Sequence, residues 1–188
     1  MIIVNLNIRE LGGGVKAKYI RQIIAKEGAD LLCLQEVKAS TSLDSRCFSL
    51  WEDNKVDWIH NEGESGAGSL LTMWHKDVFG YERHMEGKGY IAIFGQHIAS
   101  KCLCAVINIY ASCNLVENEA LWAELSNIRG AHQNLPWCFC GEFNAVRNES
   151  ERRGSSVRGN KKNKIRGFNS FIERNYMVEL LVIGKKYT

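Results

Sequence analysis

Six residues of this 188-residue sequence have the types and spacing to act on a phosphate ester: Asn7, Glu36, Asn108, Tyr110, Glu142 and Asn144, with Gln35 beside the second. Each closes or follows a short apolar run. Asn7 follows Met1–Leu6, Gln35-Glu36 follow Leu31–Leu34, Asn108 and Tyr110 end Cys102–Tyr110, and Glu142 and Asn144 come just after Gly141. Layered α/β proteins place reactive groups at strand ends, where the scaffold is rigid and the adjoining loops admit a ligand. One carboxylate at such an end is ordinarily a solvated turn residue, and an asparagine there a turn former. Four ends offering amide, carboxylate and phenol together predict a convergent site. A donor set of hard oxygens without histidine or cysteine suits Mg²⁺, with Mn²⁺ as the alternative, and Mg²⁺ often takes only one or two protein carboxylates. Glu36 is the expected ligand. Hydrolysis of a phosphate ester also needs a carboxylate to orient water and neutral donors around the non-bridging oxygens, roles that Glu142, Asn144, Asn7 and Tyr110 can fill.

The elements that position these groups follow from periodicity. Residues Met1–Arg9 read as a buried first strand. Val15, Tyr19, Ile20, Ile23 and Ile24 share the face of a helix that begins after Gly12-Gly13-Gly14 and stops at Gly28. The glycine run lacks the spacing and Ser/Thr of a P-loop. Asp30–Glu36 is a second strand, so the chain opens as strand, helix, strand. Gly68–Trp74, Tyr90–Ile98 and Cys102–Tyr110 read as strands of an antiparallel region, and Trp51, Trp58 and Trp74 have the alternating neighbours of half-buried strands. Leu121, Trp122, Leu125 and Ile128 mark a second helix, Pro136–Glu142 a further strand, and Ile165, Phe168, Phe171, Ile172 and Tyr176 a third helix. The class implied is mixed α/β with layered sheets and helices in one domain, 1–188.

Composition narrows the function classes. Hydrophobic residues at 45% and charged residues at 24% exclude a disordered or fibrous chain. No apolar run approaches the roughly 20 residues that span a bilayer, and the N-terminus lacks the basic start and long apolar core of a secretory signal. Seven cysteines without such a signal point to free thiols in an intracellular protein, cytoplasmic or nuclear. Cys102-x-Cys104 and Cys138-x-Cys140 read as small buried hydrophobes, because alternate strand residues lie about 6.6 Å apart, unlike turn-borne zinc pairs. Net charge is only +3, yet Arg152, Arg153, Arg158, Lys161, Lys162, Lys164 and Arg166 form a basic run without an acidic residue. Such a run suits a nucleic-acid backbone, or equally a solvated loop.

The motifs then carry a resemblance. Asn7-Ile8-Arg9 with Leu11-Gly12-Gly13, Leu32-Cys33-Leu34-Gln35-Glu36-Val37-Lys38, Asn108-Ile109-Tyr110-Ala111 and Cys140-Gly141-Glu142-Phe143-Asn144-Ala145-Val146 resemble, in order and spacing, the endonuclease/exonuclease/phosphatase family. Leu70–Trp74, Glu151-Arg152-Arg153-Gly154 and Gly184–Thr188 are most similar to the endonuclease domains of plant LINE-type (non-LTR) retrotransposons, relatives of apurinic/apyrimidinic endonucleases. The resemblance runs through essentially the whole chain. It implies a four-layer α/β sandwich, two packed mixed sheets flanked by helices, and DNA as the partner, with no small-molecule cofactor. It implies Glu36 as Mg²⁺ ligand with Asn7 supporting the metal, Tyr110 and Asn144 on the scissile phosphate, and Glu142 activating water.

Three departures accompany it. The family's Gly-Asp-Phe-Asn is here Gly141-Glu142-Phe143-Asn144, the usual Trp-Asn-Ile-Arg-Gly is Leu6-Asn7-Ile8-Arg9-Glu10, and the closing Ser-Asp-His has no counterpart. His60, His75, His84, His97 and His132 all precede the position of that triplet. The chain is therefore expected to be C-terminally incomplete, without the family's last strands. Two main readings follow: an Mg²⁺-dependent endonuclease domain that hydrolyses DNA phosphodiesters, or an inactive retroelement remnant that at most binds nucleic acid. A phosphomonoesterase acting on small phosphates or inositol lipids shares the core motifs but not the retroelement-like details.

Overall fold

The computed structural model describes residues 1–11, 14–38, 43–63, 69–151 and 161–180, with the backbone alone of Lys161. The chain divides into two compact units, residues 1–111 with 134–142, and residues 112–133 with 143–188.

The first unit holds two four-stranded mixed sheets. One runs in the order β1 (Ile3–Asn7), β2 (Leu31–Gln35), β4 (Leu70–His75), β3 (Val56–Asn61); the other in the order β5 (Phe79–Gly87), β6 (Tyr90–His97), β7 (Cys102–Tyr110), β8 (Trp137–Glu142). β1 and β2 are parallel, as are β7 and β8, and the remaining pairs are antiparallel. The sheets face each other across Leu31, Cys33, Leu70, Trp74, Phe79, Ile91, Ile93 and Val106, all buried. The other face of the first sheet packs on α1 (Gly14–Glu27) and α2 (Leu43–Trp51) through Ile20, Ile24, Cys47 and Leu50 against Leu32, Leu34, Leu71 and Met73. Each such aliphatic side chain, fully buried, contributes about 1.5–3 kcal/mol. The expected α/β sandwich of two mixed sheets with helices is present.

Several local expectations are corrected. β1 is an edge strand with half-buried or exposed residues, because only β2 pairs with it. On α1 the inward stripe is half-buried Ala17 with buried Ile20 and Ile24, while Val15 and Tyr19 are 85% and 60% exposed; the helix turns its i, i+3, i+7 positions inward rather than the first two apolar ones. Trp51 ends a helix and not a strand, with Leu43, Cys47 and Leu50 on its apolar face. Cys102 is exposed and Cys104 only half-buried, since β7 begins beyond the core, whereas Cys140 reaches across the sheets to within 3.4 Å of Cys33 Sγ.

Cys47 yields a pH prediction. Burial, and then the Asp44 carboxylate, push its thiol from an ordinary 9.0 up to about 12. The native chain keeps this proton where the unfolded chain releases it, so the associated stability is complete below pH 9 and is lost as pH rises toward 12. Denaturant midpoints are expected to fall from pH 8 to pH 10.5, and to fall less in Cys47→Ala. An identical slope in that variant would assign the effect elsewhere, for instance to Cys138, which its bond to Cys140 and its burial push in the same direction.

In the second unit, α3 (Leu115–Ala131) is capped by Asn114, whose Oδ1 accepts from Val116 N at 2.8 Å and Glu117 N at 3.4 Å, a cap worth about 1 kcal/mol. α4 (Lys161–Arg174) packs on α3 through Phe168 and Phe171, with ring centroids 5.7 and 6.2 Å from Trp122. Asn175 Nδ2 donates to Ser126 Oγ at 2.8 Å.

Candidate active site

β1, β2, β7 and β8 finish at Asn7, Gln35, Tyr110 and Glu142. Registers are fixed by the ladders: Asn7 pairs with Gln35, and Tyr110 with Glu142. The two pairs belong to different sheets, and a side-chain bond joins their strand ends, with Gln35 Nε2 donating to Asn108 Oδ1 at 2.6 Å.

Glu36 reaches the site by breaking the strand's alternation. Leu32 and Leu34 point toward the helix-side core, so a regular residue 36 would follow them there, but the next residue in that layer is Val37. The one-residue shift occurs at Glu36, whose φ is +56°, a left-handed conformation uncommon outside glycine. The carboxylate thereby turns to Asn7, and Asn7 Nδ2 donates to Glu36 Oε1 at 3.0 Å. The segment after β1 makes a similar shift, with Arg9 and Glu10 at φ +48° and +92° between Ile8 and Leu11 of the same core. Backbone bonds from Ile8 N to Gln35 O, Glu10 N to Glu36 O and Leu11 N to Val37 O, at 3.1, 2.5 and 2.7 Å, keep the two segments together.

The bond to Asn7 leaves Asn7 Oδ1 and Glu36 Oε2 as oxygen donors, and among the described residues no group of three or more His, Cys, Asp or Glu could hold a metal. One carboxylate and an amide oxygen fit Mg²⁺, which retains water and substrate oxygens in its shell, and do not fit a zinc cage. Glu36 is half-buried and Asn7 exposed, so both are accessible to solvent.

Of the residues expected from sequence, Asn7, Glu36, Tyr110 and Glu142 lie at joined strand ends in the first unit. Asn144 lies in the second, two residues past β8, at φ +47°. Arg152, Arg153 and Arg158 are outside the described residues, as is the side chain of Lys161. Lys162 and Arg166 are exposed on α4, while Lys164 Nζ donates to the carbonyls of Ser112 and Cys113 at 3.4 and 3.0 Å. Sequence reasoning missed Lys16, whose Nζ donates to the carbonyls of Ile8, Arg9 and Glu10 at 3.0, 3.1 and 3.2 Å and so ties down the segment after Asn7. Nothing in local periodicity marks it, since its partners converge only through the left-handed turn.

The endonuclease/exonuclease/phosphatase family model matches residues 4–176, nearly the whole described fold. The chain belongs to the endonuclease/exonuclease/phosphatase family. No curated protein sequence matches it. Among solved structures it is similar to an AP endonuclease from Leishmania major, LMAP, with TM-score 0.72 and 14% identity over 92% of this chain and 66% of that one. It is also similar to the APE2 catalytic domain from Xenopus laevis, with TM-score 0.64 and 14% identity over 91% and 67%. The endonuclease domain of TRAS1, a telomere-specific non-LTR retrotransposon, matches with TM-score 0.58 and 8% identity over 90% and 69%. At these identities the likeness is one of fold. The family member described here spans 66% of the length of the Leishmania protein.

Proposed function

We propose that this chain is the core of a divalent-metal-dependent phosphodiesterase that cuts DNA, of the retroelement endonuclease type. The observation that carries the reading is the Asn7–Glu36 pair, a carboxylate brought to an amide by a left-handed backbone turn at the end of two parallel strands. Such strain at a polar strand end is characteristic of functional sites. The nuclease neighbours and the retroelement-like motifs support DNA as substrate; the family's name also covers phosphatases.

Glu36, helped by Asn7 Oδ1, would hold Mg²⁺, which when bound supplies positive charge to offset that developing on the phosphate. Tyr110 donates a hydrogen bond to a non-bridging oxygen, and Glu142 takes a proton from the attacking water; the same donor role for Asn144, a residue of the second unit, rests on the sequence resemblance alone. In-line attack forms the bond from the water oxygen to phosphorus and breaks the bond to the leaving 3′-oxygen, which takes a proton from solvent water, so that the products are a 3′-hydroxyl and a 5′-phosphate. The basic residues Arg152, Arg153, Arg158, Lys161, Lys162, Lys164 and Arg166 contribute charge toward the DNA backbone.

Nicking of supercoiled plasmid with Mg²⁺ tests this. Glu36→Ala is expected to lower the rate by at least about 10²-fold, since it removes the carboxylate that Asn7 orients. Equal backgrounds for both proteins, together with salt-dependent DNA binding that weakens in Lys161→Ala/Lys162→Ala, would instead identify a noncatalytic nucleic-acid binder.

A further inference from the structure

A chain of side-chain amides crosses the interior of the sandwich one or two residues short of the candidate site. Gln35 Nε2 donates to Asn5 Oδ1 at 2.7 Å and to Asn108 Oδ1 at 2.6 Å. Asn108 Nδ2 in turn donates to Leu34 O, Leu71 O and Thr72 Oγ1 at 3.2, 3.1 and 3.2 Å. Gln35, Asn108 and Thr72 are 0% exposed. Asn5 is two residues before Asn7, Gln35 one before Glu36, and Asn108 two before Tyr110, whose ladder partner is Glu142.

We propose that Gln35 and Asn108 are positioning residues, a buried clamp that sets the spacing between the Asn7–Glu36 pair on one sheet and the Tyr110–Glu142 pair on the other. The proposal rests on the reading of those four residues as the active site. Beside these amides the buried layer between the sheets is apolar, with a further cross-sheet bond at its margin, Asn61 Nδ2 to Glu86 Oε2 at 3.1 Å, and apolar packing is non-directional. Buried faces of Leu31, Leu70, Trp74, Phe79, Ile91, Ile93 and Val106 hold the sheets together without fixing the direction of any one contact. Short bonds of fixed direction between the terminal turn of β2 and that of β7 remove this freedom where the reacting groups emerge. The arrangement carries a stability cost, because Gln35 Oε1 is fully buried and has no hydrogen-bond partner among the described residues, a penalty that apolar residues in the same layer would not incur. The pair is also non-local, 73 residues apart in sequence, so its effect is specifically to couple one sheet to the other.

The test is the double variant Gln35→Met/Asn108→Leu, which keeps the length of each side chain and deletes the clamp. Its melting temperature is expected to equal or exceed that of the unmodified chain. Amide hydrogen-exchange protection is expected to fall about tenfold at Glu10, Leu11 and Ala111, which bond to the carbonyls of Glu36, Val37 and Glu142, and to stay unchanged at Leu32 and Ile107. In the plasmid assay kcat is expected to fall by roughly 10-fold to 10²-fold, as misplacement approaching 1 Å does, with KM for DNA unchanged. Unchanged protection at those three amides overturns the proposal, as does reduced protection with unchanged kcat, or a loss of kcat that merely follows a fall in melting temperature. If the double variant fails to fold, Gln35→Met alone is read in the same way. Should the unmodified chain not nick DNA, the enzymatic reading fails, while the exchange pattern still decides whether the clamp positions the strand ends.

Discussion

Glu142→Asp is expected to increase Mg²⁺-dependent nicking by about 10²-fold over the unmodified chain. The residue stands where the family resemblance implies aspartate, and the additional methylene displaces the carboxylate by about 1 Å, a misplacement that costs roughly 10²-fold or about 2.7 kcal/mol of activation free energy. The backbone has no means of drawing back to absorb it. Glu142 is held in register beside Tyr110, its carbonyl accepts from Ala111 N at 2.8 Å, and the preceding Gly141 is paired with Ile109 in the same ladder. Shortening the side chain is therefore the direct correction. Initial rates on supercoiled plasmid at saturating Mg²⁺ measure it, with Glu36→Ala in the same background as the control for metal dependence. An equal rate in Glu142→Asp and the unmodified chain would show that carboxylate length does not limit the reaction and would remove Glu142 from the role of general base.

Gly141→Ala is expected to destabilise the chain by about 3 kcal/mol or more, a fall in melting temperature of roughly 6–12 °C for a protein of this size. Gly141 has φ +131°, a conformation that L side chains rarely adopt, and a Cβ built there overlaps the carbonyl oxygen of Ile109 and lies 2.7 Å from its nitrogen. Neither atom can move without breaking the β7–β8 ladder, in which Ile109 is the partner of Gly141. The cost thus falls on a strand whose end carries Glu142, so activity is expected to decline together with stability. Gly130→Ala is the control: no atom lies within 4 Å of its added Cβ, and it sits inside α3, where alanine is better than glycine by about 0.5–1 kcal/mol. Calorimetric or circular-dichroism melting of the two variants checks both. Equal melting temperatures for the two would mean that β8 can re-register around position 141.

These two positions illustrate how far local pattern reaches. The Gly141-Glu142-Phe143-Asn144 segment was legible because its residues ended an apolar run, and the structure does end β8 at Glu142. α1, β2, β6 and β7 were legible for the same reason: long stretches with one dominant period, each anchored by its own buried residues. By contrast α2 and β5 are not legible in local pattern, and β3 only through the alternation around Trp58. β5 is mostly exposed, bulged between Tyr81 and Arg83, and polar on both faces, so no alternation survives in it. β3 is the far edge of its sheet, and α2 is nine residues long with few buried positions. β1 and β8 also lie at sheet edges but keep apolar runs of their own; α2, β3 and β5 owe more to a neighbour already in place than to their own periodicity.

The identities of Asn7, Glu36, Tyr110 and Glu142, their location at strand ends and the α/β class were all determined by the sequence, because polar residues that stop apolar runs and the repeats of 2 and 3.6 are local properties. Tertiary structure alone decided that Glu36 turns to Asn7 through a left-handed backbone, that Val15 and Tyr19 stay outside, that Lys16 closes on three carbonyls, and that Gln35 meets Asn108 across two sheets. Those outcomes depend on which surfaces face one another after the chain has closed loops of up to 73 residues. No short window of residues contains that information, since either face of a strand end is sterically open until a second sheet arrives to occupy one of them.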